Sequence, residues 1–96
     1  MIFMENKITE EKLEKYFNIT NEAFQVALKA PINNQEQYKE IIDMVQNYIS
    51  DAEHFAEKGD VVNAFAALAY AHGWLDAGAR LKIFITSDNR LFVVDD

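Results

Sequence analysis

A chain of 96 residues, half of them hydrophobic and only one a proline, has the makings of a packed interior and too little length for two, so a single domain over residues 1–96 is expected and a disordered tail is excluded. The absence of cysteine excludes a disulfide scaffold, thiolate metal sites and a cysteine nucleophile. A net charge of −7, with the acidic excess largest in residues 31–59 and no basic stripe, argues against nucleic-acid binding, which needs clustered lysine and arginine to displace counterions from phosphates.

Residues 1–6 lack the long apolar stretch of a signal peptide, and no run approaches the ~18 apolar residues of a membrane span. A cytoplasmic protein with no membrane contact is therefore expected. From about Thr9 to Lys29, Leu13, Tyr16, Phe17, Thr20, Ala23, Phe24, Ala27 and Leu28 recur at spacings of three and four and predict a first helix with one apolar stripe. It stops before Pro31, which has no donor for the helical ladder and biases Ala30 away from helical geometry. The short linker implies an antiparallel neighbour.

Asn34 is placed to cap a second helix, with Gln37 three positions on and able to reach back to the cap's backbone amide. Its stripe runs through Tyr38, Ile41, Ile42, Val45, Tyr48, Ile49, Ala52, Phe55 and Ala56. Gly59 is predicted to close it with positive φ, and Asp60 to cap the next helix at once. The third helix is predicted from about Val61 to Phe84. Between residues 61 and 81 only Asn63, His72, Asp76 and Arg80 are strongly polar, so this helix reads as the central element. Residues 85–90 read as a turn. Leu91, Phe92, Val93 and Val94 then form an apolar run, expected as an extended strap over the helices in preference to one arm of a hairpin with residues 82–86, since a lone hairpin is marginal.

Together these elements predict an all-α fold, an antiparallel bundle of three long helices with a short extended C-terminal tail. Residues 48–84 also carry a specific string, Asp51-Ala52, Phe55, Gly59-Asp60, Ala64-Phe65, Tyr70-Ala71, Gly73 and Leu75-Asp76, that resembles the archaeal domain of unknown function family 357. The resemblance implies an all-helical fold and no established activity. It also suggests an accessory role, because the family looks like the tail domain of some cytidylyltransferase-like, that is nucleotidyltransferase-like, proteins. Many members have glycine where this chain has Lys82, so the helix is expected to run past that point here. The same segment is similar to one tetratricopeptide hairpin, with Tyr48, Ala52, Phe55, Gly59, Ala64, Leu68 and Ala71 on that repeat's spacing. Asp76 stands where the repeat usually has proline, and there is no second copy.

Catalytic patterns are sparse. Asp51-Ala52-Glu53-His54 sets a carboxylate three residues before a histidine, the spacing with which helical bundles hold iron or manganese, but a di-metal centre needs two such pairs and two further carboxylates. His54 and Glu53 also flank the apolar stripe, which favours a solvated face. His72, Asp76 and Arg80 lie four residues apart and can pair along one helix face; with no serine, threonine or cysteine beside them, an ordinary ladder is expected rather than a hydrolase. Tyr70, Trp74, Ala77 and Leu81 form an aromatic face expected to pack in the core. Gly59, Gly73 and Gly78 are too dispersed for a phosphate loop. No catalytic, metal or cofactor site is expected.

The functional expectation rests on helix three. On a wheel of 100° per residue, the arc facing away from Leu68, Leu75 and Trp74 carries Val62, Ala66, Ala69, Gly73, Asp76 and Arg80, spaced 4, 3, 4, 3 and 4. A free helix face ordinarily carries Glu, Lys and Gln, whereas small residues at this spacing describe a seam that another helix can approach closely. Asp76 and Arg80 could pair across a two-fold axis and fix its register. The sequence thus points to a non-enzymatic helical interaction or oligomerisation domain, a homodimer or the partner of another helical protein. The alternative is a metal-dependent or small-molecule-processing helical-bundle enzyme. In the competing account of the stripe, helix one or the apolar tail covers it within the same chain.

Overall fold

The computed structural model describes residues 8–92. Within them α1 spans Glu10–Lys29, α2 Gln35–Glu57 and α3 Val61–Arg80, and no strand forms. The all-α bundle read from the sequence is the fold observed. Residues 1–7 and 93–96, and with them the end of the expected apolar tail, lie outside the described residues.

Each helix begins on the side chain its sequence offers. Thr9 Oγ1 accepts from the Lys12 amide at 3.1 Å, Asn34 Oδ1 from the Gln37 amide at 3.0 Å and Asp60 Oδ1 from the Asn63 amide at 3.1 Å, each satisfying a first-turn donor that has no partner within the helix. The reciprocal half of the expected capping box at Asn34 is absent. Its backbone amide donates instead to the Ile83 carbonyl at 3.3 Å, because the chain returning from α3 lies against this linker.

The α2–α3 turn is as predicted. Gly59 takes φ +77°, its amide donates to Ala56 O, and the Asp60 amide reaches back to Phe55 O at 2.9 Å, the paired bonds that close a helix through a left-handed residue.

The end of α3 corrects the sequence reading. The helix stops at Arg80, not Phe84, and Lys82 adopts φ +58° while its amide donates to Ala79 O and the Ile83 amide to Gly78 O at 2.9 Å. This is the same closing motif as at Gly59, built on a residue with a Cβ. The reversal is imposed from outside the helix, since Ile83 and Phe84 are buried only if the chain turns here. A left-handed residue other than glycine costs about 1–2 kcal/mol. Glycine gives back part of that through the entropy of its unfolded chain. Lys82→Gly is accordingly expected to stabilise the protein by roughly 0.5–1 kcal/mol, read as a raised midpoint in urea denaturation.

After α3 the chain pairs with the α1–α2 linker. The Asn33 amide donates to Ile83 O at 2.9 Å, the Ile85 amide to Pro31 O at 2.9 Å, and Ile32 and Phe84 form an isolated antiparallel bridge. Residues 82–86 therefore pair with the linker, and among the described residues they form no hairpin pairing with Leu91 or Phe92. Asp88 Oδ1 accepts from the Arg90 and Leu91 amides, a turn that delivers Leu91 and Phe92 into the core. These two residues pack on the helices as the strap reading expects, but from a turn and not from extended chain, the Phe92 amide donating to Asp88 O at 3.1 Å.

α3 packs on both other helices, antiparallel to α2 and alongside α1, which leans chiefly on α3. Small residues make the contacts close: Ala23, Ala27, Ala52, Ala64 and Ala71 are all fully buried. The interior divides into a larger cluster around Val45, Leu75, Phe84 and Phe92 and a smaller one around Leu13, Ala52 and Leu68. Tyr38 donates its hydroxyl to Ala27 O at 2.9 Å, satisfying a carbonyl in the last turn of α1. Burial raises the Tyr38 hydroxyl above its ordinary pKa of 10.0. The folded state therefore keeps that proton to higher pH than the unfolded chain does. The resulting stability is complete below about pH 10 and is lost as pH rises through the folded value. Tyr38→Phe should cost about 0.5–1.5 kcal/mol at neutral pH and flatten the alkaline fall in unfolding free energy measured in urea.

Candidate functional site

α3 is apolar nearly all round, yet it is not buried all round. α1 and α2 cover the side bearing Ala64, Leu68, Ala71, Leu75 and Ala79, and the opposite side faces out. Tyr70 is 63% exposed, Leu81 71% and Val62 62%, and Trp74 is also open to solvent. This overturns the expectation that Tyr70, Trp74, Ala77 and Leu81 pack in the core. Tyr70 instead stacks on Tyr48 of α2 at a centroid distance of 5.4 Å with its outer face free, and Ala77 is exposed beside it. Apolar character all round had two explanations, complete burial or an uncovered face, and periodicity cannot separate them.

Of the seam residues, Val62, Ala69, Gly73 and Arg80 are exposed, and Ala66 and Asp76 half-buried. Nothing lies within 4 Å of where a Cβ on Gly73 would stand. Neither α1 nor the described tail covers the stripe. The tail passes along its flank, where His72 Nε2 donates to Leu91 O at 2.8 Å.

The Ala69–Gly73 stripe is bordered by a hollow on each side. Towards α1 it forms one wall of a groove of about 320 Å³ whose other walls are Tyr16, Ile19, Phe65 and Leu68, with His72 and Asp76 at one end. Tyr16 and Phe65 meet edge to face there at 4.6 Å. On the far side Ala69 and Gly73 share a shallower depression with Tyr70, Trp74 and Ala77. Sequence reading missed the groove because α1 supplies Tyr16 and Ile19, and a helical wheel of α3 carries no information about its neighbour's offset.

The catalytic patterns are not assembled. Asp51, Glu53 and His54 are exposed on α2, the His54 ring lying near that of Phe55. His72 Nε2 stands 3.7 Å from Asp76 Oδ1, too long for a hydrogen bond, because the imidazole turns to the Leu91 carbonyl. Among the described residues no three His, Asp or Glu side chains converge as a bound metal requires, and no helix is long and apolar enough to cross a membrane.

Among known proteins, the family model described as Protein of unknown function (DUF357) matches the chain over residues 15–84. No curated protein and no solved structure matches it.

Proposed function

The chain belongs to this family of unknown function, the match running from α1 to the buried Phe84, and we propose that it serves as a non-enzymatic interaction domain whose outer α3 face docks a second copy of itself. One observation carries the reading: Val62, Ala69, Tyr70, Gly73, Trp74, Ala77 and Leu81 form a continuous uncovered apolar face on the element that is otherwise the centre of the bundle.

The relief of the face favours a second copy as occupant. The small-residue stripe has the groove between α1 and α3 on one side and, across a shallow depression, the exposed rings of Tyr70 and Trp74 as a ridge on the other. A two-fold axis along the stripe places the ridge of each protomer against the groove of the other, the self-complementarity that an isologous interface needs. Val62, Ala66, Ala69, Gly73, Asp76 and Arg80 form the seam in this reading. A domain of this kind also suits an accessory role beside a nucleotidyltransferase-like protein.

Gly73→Leu tests it. The position has open space around it, so the change should leave the melting temperature unchanged or slightly raised by leucine's better helix propensity. Wild type should self-associate in analytical ultracentrifugation and the variant should be monomeric. Trp74, the only tryptophan in the sequence, supplies a second readout, its emission shifting to shorter wavelength as wild type is concentrated but not in the variant. A wild type that stays monomeric at the highest attainable concentration removes the second copy and leaves a foreign helix as the occupant.

A further inference from the structure

A second groove lies away from the outer α3 face, where α1 and the last turns of α2 both rest on α3 without closing on one another. Its floor is Leu13, Phe17 and Ala56, and its volume is about 460 Å³. Glu10 and Glu14 line its α1 side, Glu53 and Glu57 its α2 side. All four glutamates are exposed, and none makes a side-chain hydrogen bond or ion pair with another described residue.

We propose that this groove binds a basic amphipathic segment of a partner protein, an apolar side chain seated on Leu13, Phe17 and Ala56 and lysine or arginine side chains reaching the glutamates on either side. The charge is arranged at a cost to the free protein. Each lip carries like charges four residues apart, a spacing at which they repel. Glu57 is the last residue of α2 and Glu53 is one turn earlier, at the end of a helix where its dipole disfavours an anion. A cation between the lips relieves both effects.

The occupant is a chain and not a metal ion, because no three of these carboxylates converge on one point. Charges spread along both lips match several cations spaced along a helix, and the apolar floor matches its buried face. Nucleic acid would meet anions on both sides. The proposal is independent of self-association through α3.

The test titrates the ¹⁵N-labelled full chain at low salt with a short synthetic helical peptide of lysine, leucine and alanine, with a glutamate-for-lysine version and oligolysine as controls. The lysine–leucine peptide should shift amides of residues 10–21 and 53–57, and added salt should weaken it. The Glu14→Gln, Glu57→Gln double variant should bind roughly tenfold more weakly, from loss of two charge pairs. Its melting temperature should be unchanged or higher, since like-charge repulsion has been removed. No binding, shifts centred on Gly73 and Trp74, equal affinity for oligolysine, or an unaffected double variant would each overturn the proposal.

Discussion

Phe84→Ala is expected to lower stability by about 3–5 kcal/mol, the range for truncating a fully buried aromatic side chain. Phe84 is fully buried although it lies beyond the last helix. Its ring meets Tyr38 edge to face at 6.2 Å and Phe92 at 5.8 Å, so one side chain holds the start of α2 and the tail together. Relaxation does little to refill the space, because Ile83 and Ile85, on either side of Phe84, are held by backbone bonds to the linker. For a domain of this size each 1 kcal/mol moves the melting temperature by roughly 4–8 °C, so a fall of about 12–40 °C should appear by calorimetry. A fall of only a few degrees would mean that the tail is not part of the cooperative unit.

Gly78→Ala is expected to destabilise although alanine is the better helix former by about 1 kcal/mol. A Cβ at this position would stand 2.5 Å from Phe84 Cε2 and 3.1 Å from Ile41 Cδ1. Phe84 is hemmed in by Tyr38 and Phe92 and cannot swing aside cheaply. Overpacking costs about 1–3 kcal/mol and occasionally more, and a rigid ring at 2.5 Å sits at the upper end, so the net loss should be up to roughly 2 kcal/mol. The decisive measurement is a double-mutant cycle in chemical denaturation. With Phe84→Ala already present the ring is gone and only the tip of Ile41, a flexible side chain with new space to move into, remains close, so adding Gly78→Ala should then stabilise by up to about 1 kcal/mol, a reversal of sign. The same sign in both backgrounds would show that ring and glycine do not interact.

Helix existence, the N-caps Asn34 and Asp60 and the Gly59 reversal were legible because each rests on local chemistry, a side-chain acceptor three residues before a donor or a residue with no Cβ; the Thr9 cap has the same chemistry and was not read from the sequence. What failed was set by contacts across the chain. α3 ends at Arg80 because Ile83 and Phe84 must reach the linker and the core, and Lys82 has no local signal for a left-handed conformation. Gly78 looked like one of three scattered glycines, and only the position of Phe84 gives it a role. At the candidate site, the seam was visible as small residues on a wheel. The groove beside it, the outward turn of Tyr70 and Trp74 and the acidic cleft were not, since each depends on how one helix is offset against another.

α1 forms a wall of both grooves. Tyr16 and Ile19 face one, while Leu13, Glu14 and Phe17 face the other. The helix leans chiefly on α3, whereas α2 and α3 are tied together at one end by the Gly59 turn and at the other by the pairing of Ile83 with Asn33 and Asn34. α1 is therefore the wall the two grooves share, and a displacement of it that widened one would alter the other. Were both filled as proposed, their occupancies would be linked thermodynamically, and a basic segment that favoured self-association would itself be bound more tightly by the associated form.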